Sequence, residues 1–417
     1  MTNPIASLVR HCLPLSVRVE AVVGWYLLSL MLEASKHSQS FAARVSGLHR
    51  SQFSRLLADK KGLARDNLSL LSRRVAKKLA KKRKKLLKGA PWTIGIIVDS
   101  TLHPRSSLHV QNAQRLNHGE GFVIGHQWTN IVLVVGSIVI PLPPIAFLTK
   151  RECRRRGTRY RSESERVIEY LRELQLSDWI GPHDPSEVLT LVDSGYDVKK
   201  LQKAVLALGW DFISALKPNR GSQTECARHR GVREWCAVER LFRNARKPAP
   251  WETVRDDVSA NRGKKRKEFR ARRLQGYLKG LKHPLTLVCS EKKKGRRKML
   301  FLACSNTVVS TGVIVRAYRK RWLVELFHRD VKGGLGMCHA GVEKFDSLVN
   351  HVHWVYCSYL FLIEMAPEQA CFRRQKWLQR LYEKTGLSRV VQMTTRADGL
   401  AAIKSQYQQA IQELEAA

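Results

Sequence analysis

The chain has 417 residues, enough for two or three domains, and its 44% apolar content is sufficient for a core, which excludes wholesale disorder. Against 35 Asp and Glu stand 74 Lys and Arg, a net charge of +39. Such an excess strains a compact state by self-repulsion, so it argues against a free-standing metabolic enzyme and for a polyanionic partner, nucleic acid before a membrane surface.

Residues 1–90 read as all-helical. Met1 to Pro14 lacks the charged start, apolar run and small-residue cleavage site of a signal peptide, and the apolar Ala21–Leu32 is too short to span a membrane, so a cytoplasmic protein is expected. Ser38–Leu57 resolves into two short amphipathic helices around Ser46-Gly47, a helix-turn-helix pattern. In Arg73–Lys88, ten of sixteen residues are basic and none is acidic. A solvated face would normally mix signs, so this reads as a phosphate-contacting helix.

Gly89-Ala90-Pro91 ends that helix. Thr93–Val98 reads as a buried strand finishing at Asp99, followed by a loop from Ser100 to Gly121. Ile131–Leu148 carries no charge, but Gly136, Ser137, Pro141, Pro143 and Pro144 rule out a spanning helix. It reads instead as strands Asn130–Val135 and Ile138–Leu142 joined by a Gly-Ser turn. A helix over Ser162–Leu174, a strand over Glu187–Val192 ending at Asp193, a helix over Val198–Leu208 and a strand over Asp211–Leu216 complete a mixed α/β sheet.

From Lys217 to His283 the rhythm breaks. Basic clusters at Lys264–Lys267 and Arg270–Arg273 surround Trp235 and Trp251, as in a partly β insertion lying on nucleic acid. Cys226-x-x-His229 followed by Cys236 is the nearest approach to a metal cluster, but it lacks a fourth ligand. The nine cysteines are odd in number, scattered and free of any C-x-x-C, as expected of reduced thiols. Strands return at Pro284–Cys289 and Met299–Cys304, joined by the basic hairpin Glu291–Arg297. From Thr311 the chain reads as helical: Gly312–Lys332, Ser347–Met365 and two further helices near the end.

Asp99 and Asp193 each end an apolar strand, where an α/β sheet forms its crevice. Either alone would serve as a turn cap; together, in so basic a chain, they suggest hard oxygen ligands for Mg2+. In Arg316–Lys332, "RAYRKRWLVELFHRDVK", the residues Tyr318, Arg321, Glu325 and Lys332 share one helical face. That stripe offers a carboxylate for metal, two cations for phosphates and a phenol donor.

The spacing Tyr318-x2-Arg321-x3-Glu325-x6-Lys332 resembles the Y-R-E-K signature of the insertion sequence four family of bacterial DDE transposases. Asp99 and Asp193 stand where that family has its first two acidic residues, and "VDSGYD" resembles its "DRGYD" block, with Ser194 in place of Arg. The resemblance spans nearly the whole chain. It implies an α/β protein with an RNase H-like catalytic core, a partly β insertion and all-helical N- and C-terminal regions. The parts would be a DNA-binding domain (1–90), the core (91–216 and 284–345), the insertion (217–283) and a C-terminal region (346–417) with a dimerisation role suggested by the apolar Val352–Met365.

The resemblance further implies catalytic, metal-binding Asp99, Asp193 and Glu325, DNA-binding Tyr318, Arg321 and Lys332, and two Mg2+ ions about 4 Å apart, with Mn2+ as substitute. The partners would be double-stranded DNA, both element ends and target, and a second copy in a synaptic homodimer, at the bacterial nucleoid and with no membrane. The reaction would be hydrolysis at the element's end, then transesterification by the freed 3′-hydroxyl. Trp235 and Trp251 would either stack on a flipped base or pack in the core. Lys217 would either touch a phosphate or stand exposed, and His118–Trp128 has no assigned role. The alternatives are a non-transposing nuclease and a DNA-binding regulator or domesticated derivative without strand transfer.

Overall fold

The structure, a computed structural model, describes residues 6–32, 39–86, 89–231, 234–243, 250–255, 268–292, 299–365, 375–376 and 378–380. The Lys264–Lys267 cluster, most of the Glu291–Arg297 hairpin, Cys371 and the helices expected beyond residue 380 lie outside the described residues.

The chain opens with five helices: α1 (Ala6–Cys12), α2 (Val17–Leu32), α3 (Gln39–Ser46), α4 (Arg50–Leu57) and α5 (Leu63–Leu86). The pair α3 and α4 is the expected helix-turn-helix. Gly47 sits at φ 71°, its N–H closing on the Ala43 carbonyl, so the chain turns where a side chain would be strained. Helix α5 buries Val75, Ala76 and Leu79 and presents Arg73, Lys77 and Lys81 outward.

Next come β1 (Ile94–Pro104), β2 (Gln114–His118), β3 (Gly121–Val135), β4 (Ile138–Pro141), β5 (Ile145–Ala146), α6 (Lys150–Arg155), α7 (Glu163–Glu173), α8 (Ser177–Ile180), β6 (Val188–Val192), α9 (Lys199–Ala207) and β7 (Asp211–Leu216). Ser162 and Glu165 close a capping box at the start of α7. The segment then runs through β8 (Gly221–Thr224), α10 (Glu225–His229), β9 (Cys236–Ala237), α11 (Val238–Arg243), β10 (Glu252–Arg255), β11 (Glu268–Leu278), β12 (Leu285–Lys292) and β13 (Leu300–Cys304). Helices α12 (Thr311–Arg319), α13 (Trp322–Arg329) and α14 (Phe345–Met365) follow, with a π-helical turn at Asp330–Gly334.

One mixed sheet holds all the described strands, in the order β2-β3-β1-β6-β7-β13-β12-β11-β8-β9, with β4 and β5 on β3 and β10 on β11. The pairs β1–β3 and β3–β4 are antiparallel; β1–β6 and β6–β7 are parallel. The strands of 217–283 therefore extend this sheet, continuing from β7 through β13 and β12.

Three expectations are corrected. Strand β1 does not stop at Asp99 but continues to Pro104 along β3, so the presumed loop begins later and contains β2. The helix over Gly312–Lys332 is interrupted at Lys320-Arg321 and gives way to the π turn, where Gly333-Gly334 resists regular helix. The apolar Val352–Met365 segment is not an open dimer face, because its residues through Ile363 are covered within the chain. Asn350 Nδ2 donates to the Leu57 and Asp59 carbonyls at 2.9 and 2.8 Å, Tyr26 Oη lies 2.8 Å from His351 Nδ1, and Lys78 pairs with Glu364 at 2.9 Å. The N-terminal helices are thus the cover of α14.

Gly125 sits where β3 is flanked by Pro104 on one side and Gln114 on the other, and a Cβ there would strike the His103 carbonyl. Gly125→Ala is expected to cost about 1–3 kcal/mol in urea unfolding, since the obstacle is backbone. Unchanged stability would contradict this close approach.

Candidate active site

The parallel β1–β6 ladder ends at the pair Val98–Val192; Asp99 is the next residue of β1 and Asp193 the first residue after β6. This register puts both carboxylates just past the carboxyl end of the parallel ladder, where the crevice of such a sheet lies. Asp99 Oδ1 accepts from the Ser100 N–H at 3.0 Å. Asp193 Oδ1 accepts from the Gly195 and Tyr196 N–H groups at 2.8 and 3.3 Å, which orients it on the turn after β6.

The third carboxylate arrives on α13. Between Ala317 and Val324 the backbone tightens: Lys320 donates to Ala317, Arg321 to Tyr318, Leu323 to Lys320 and Val324 to Arg321, all i to i−3. At this 3-10 pitch Tyr318 and Arg321 lie over one another. Arg321 then reaches two carboxylates at once. Its Nη1 lies 3.3 Å from Asp99 Oδ2 and its Nη2 2.5 Å from Glu325 Oε1. With side chains 18% exposed for Arg321 and 13% for Asp99, this is a half-closed ion cluster.

Burial pushes the Asp99 carboxyl up to about 6; Arg321 opposes this, while Asp193 and Glu325 add to it by like-charge repulsion. Burial also works against the Arg321 charge, but Tyr318, Asp99 and Glu325 more than offset it and the guanidinium is held above its ordinary value. Tyr318 is buried and its phenol pushed up to about 12 by burial, so it is a proton donor. Lys332, in the π turn, is half-buried; burial lowers its pKa, and Cys338 and Asp99 act the other way. The six expected residues are therefore electrostatically joined, with Arg321 as the hub.

Among the described residues no group of three or more His, Cys, Asp and Glu side chains is gathered as a metal cage. The donor chemistry nevertheless suits a hard divalent cation: Asp193 and Glu325 add to the cost of ionising the buried Asp99, and the place between Asp99 and Glu325 already holds a positive group, the Arg321 guanidinium. A metal ion would take that place once Arg321 turned away. Cys226, His229 and Cys236 form no such group.

Other polar residues around the site carried little signal in the sequence. Glu163, at the first position of α7, accepts from Gln127 Nε2 at 2.9 Å, Thr129 Oγ1 at 2.6 Å and Tyr196 Oη at 2.5 Å. It ties α7 to β3 and to the turn carrying Asp193. In the sequence Glu163 reads only as a first-turn acid; the polar Thr129-Asn130 pair inside an apolar run was the available clue. Trp251 is half-buried against the core, with Arg270 and Arg272 guanidinium groups 4.9 and 4.8 Å from its ring centre. Trp235 is half-buried and Lys217 is exposed.

With this geometry in place the comparison with known families is decisive. Residues 149–361 match the Transposase DDE domain. The chain belongs to that family. The matched segment contains Asp193, Arg321 and Glu325, whereas Asp99 precedes it and is joined to it through the β1–β6 ladder and Arg321. Membership implies an RNase H-like catalytic fold, in keeping with the mixed α/β architecture of this transposase-family chain. Comparison with curated proteins yields no match. Among the described residues no helix is long and apolar enough to cross a membrane.

Asp99 binds its proton more tightly folded than unfolded, so in metal-free buffer its ionisation withdraws stability as pH rises from about 4 to about 6. Asp99→Asn removes that burden. It should raise unfolding free energy at pH 7 by about 1–3 kcal/mol, and the gain should shrink towards pH 4.5. A gain independent of pH, in urea titrations with EDTA, would contradict a strained carboxylate.

Proposed function

We propose that the protein is a transposase of the insertion sequence four type, which cuts the ends of its element and joins them to target DNA. The observation that carries this reading is the meeting of Asp99 and Glu325, with Asp193 beside them, on the one guanidinium of Arg321, whose partner Asp99 is 222 residues away in sequence. A DNA-binding protein without chemistry gains nothing from three carboxylates aimed at the phosphates it must attract.

Asp99, Asp193 and Glu325 would hold Mg2+ or Mn2+, two ions in the full site. When bound, such ions activate water or a 3′-hydroxyl and stabilise the departing oxygen. Arg321, released from the carboxylates, and Lys332 would grip phosphate oxygens flanking the scissile bond, and Tyr318 would donate to another. Hydrolysis breaks the P–O3′ bond at the element's end and leaves a free 3′-hydroxyl. That hydroxyl attacks a target phosphate, forms a new phosphodiester and expels the target's own 3′-oxygen, so no covalent enzyme link and no ATP are needed. Two ends require pairing, and a homodimer on double-stranded DNA is the arrangement this implies. The division into an N-terminal recognition region (1–90), a core, an insertion and a C-terminal region is part of the same reading.

Asp99→Ala, Asp193→Ala and Glu325→Ala should each abolish cleavage of end DNA in Mg2+ or Mn2+ while end binding persists in a gel shift. Cleavage at the wild-type rate by any of them removes that residue from the site. A wild-type protein that binds ends and never cuts would favour the regulator.

Arg321→Ala should slow cleavage and reduce the slope of log K against log salt by about one unit, as expected for one lost phosphate contact. An unchanged slope with normal cleavage at saturating DNA would reduce Arg321 to a structural pair.

For recognition, the exposed Arg50 and Arg55 of α4 are the sensitive positions, because deleting residues 1–90 would uncover α14. Arg50→Ala with Arg55→Ala should erase much of the preference for element ends over random DNA. A retained preference, measured by competition, excludes α4 as the reading helix.

A further inference from the structure

Beside the carboxylates lies a buried polar chain that the reaction does not use directly. Asn130 is the cross-strand partner of Asp99 in the antiparallel β1–β3 ladder. Directly opposed residues leave the same face of a sheet with Cβ atoms roughly 4.5–5.5 Å apart. Asn130 is 1% exposed and begins the most apolar stretch of β3, so its amide needs partners from elsewhere.

It has two. Tyr356 Oη donates to Asn130 Oδ1 at 2.5 Å, and Asn130 Nδ2 lies 2.8 Å from His328 Nε2. With the Asn130 carbonyl engaged by the phenol, its NH2 faces His328, and Nε2 must accept through its lone pair. His328 is therefore neutral, with its proton on Nδ1. Burial, with Lys332 and Arg321 nearby, lowers the His328 pKa to about 3, which keeps it so. Phe327, the neighbour of His328, packs edge-on against Tyr356 and Tyr359, both at 4.9 Å between ring centres.

The chain of bonds therefore crosses three elements: β3 beside Asp99, α13 one turn after Glu325, and α14. The helical run is interrupted at Lys320-Arg321, one turn before Glu325, so continuation from α12 does not lock the depth of α13 against the sheet. We propose that Asn130, His328 and Tyr356 are positioning residues, which set the distance between Glu325 and Asp99 and thereby the affinity of the site for its divalent cation. This rests on the metal-binding reading of Asp99, Asp193 and Glu325 given above. A purely structural role would change stability alone; a positioning role changes metal affinity at equal folding.

The test is Mn2+ binding to the full-length protein without DNA, followed by electron paramagnetic resonance, alongside the Mg2+ dependence of single-turnover cleavage, end affinity and melting temperature. Tyr356→Phe keeps the ring and removes only the donor; His328→Ala removes the acceptor; His328→Gln brings an amide oxygen to the place of Nε2. Tyr356→Phe and His328→Ala should weaken Mn2+ binding about tenfold or more, on the scale of losing outer supports of a metal site, and move the Mg2+ midpoint by the same factor. End affinity without metal should stay within about twofold, and His328→Gln should recover binding to within about threefold of wild type.

Glu325→Gln is the reference. If it binds Mn2+ as wild type does, the metal reading fails and the clamp with it. If Glu325→Gln is impaired while a folded Tyr356→Phe and His328→Ala bind normally, the clamp alone is overturned. Should His328→Ala not fold, Tyr356→Phe decides, because it preserves the packing against Phe327.

Discussion

Two carboxylates that face each other across a half-closed crevice must share a cation, and in this chain the cation is Arg321. Its guanidinium bridges Asp99 on the sheet to Glu325 on the following helix, while Asp193 adds its charge from the neighbouring strand. The rest of the fold serves this meeting. The parallel register of β1 and β6 places Asp99 and Asp193 side by side. The 3-10 tightening before α13 aligns Arg321 over Tyr318 and aims it at the sheet. Asp99 is the strained member because burial raises its pKa first and the charges of Asp193 and Glu325 add to that, with Arg321 as the opposing charge.

In the proposed function that arrangement would join a resting site to a working one. A guanidinium cannot polarise a phosphate as a divalent ion does, but it preserves the shape of a site meant for positive charge. The same group that neutralises the carboxylates has the geometry to grip DNA phosphate once displaced. In the proposed function, exchange of Arg321 for metal would couple assembly of the metal site to capture of the DNA backbone. The scaffold behind the site is cross-braced by hydrogen bonds. Glu163 binds α7 to β3 and to the Asp193 turn, and the N-terminal helices cover α14, which in turn touches Asn130 through Tyr356.

What the sequence made legible was local. Strand β7 at Asp211–Leu216, helix α9 behind Val198 and helix α7 behind its Ser162 cap all follow from apolar periodicity and capping chemistry. Asp99 and Asp193 stood out at the ends of apolar strands, and Tyr318, Arg321, Glu325 and Lys332 by their spacing on one helical face. Pairing between distant segments was not legible. The polar end of β1, from Ser100 to Pro104, is a strand because β3 lies beside it, and the described strands of 217–283 join the sheet because β12 and β13 extend β7. The apolar α14 suggested an interface between copies, and its cover comes from helices some three hundred residues earlier. Asn130, His328 and Tyr356 are far apart in sequence and carry no shared pattern, and only the fold makes them one chain.

The most direct test of the central claim is a crystal structure grown or soaked with Mn2+, read by anomalous diffraction at the manganese edge. The account predicts an anomalous peak between the Asp99 and Glu325 carboxylates, within ligand distance of Asp193, with the Arg321 guanidinium turned out of that place. A fully occupied manganese elsewhere in the molecule, with Arg321 still bridging Asp99 and Glu325, would contradict it.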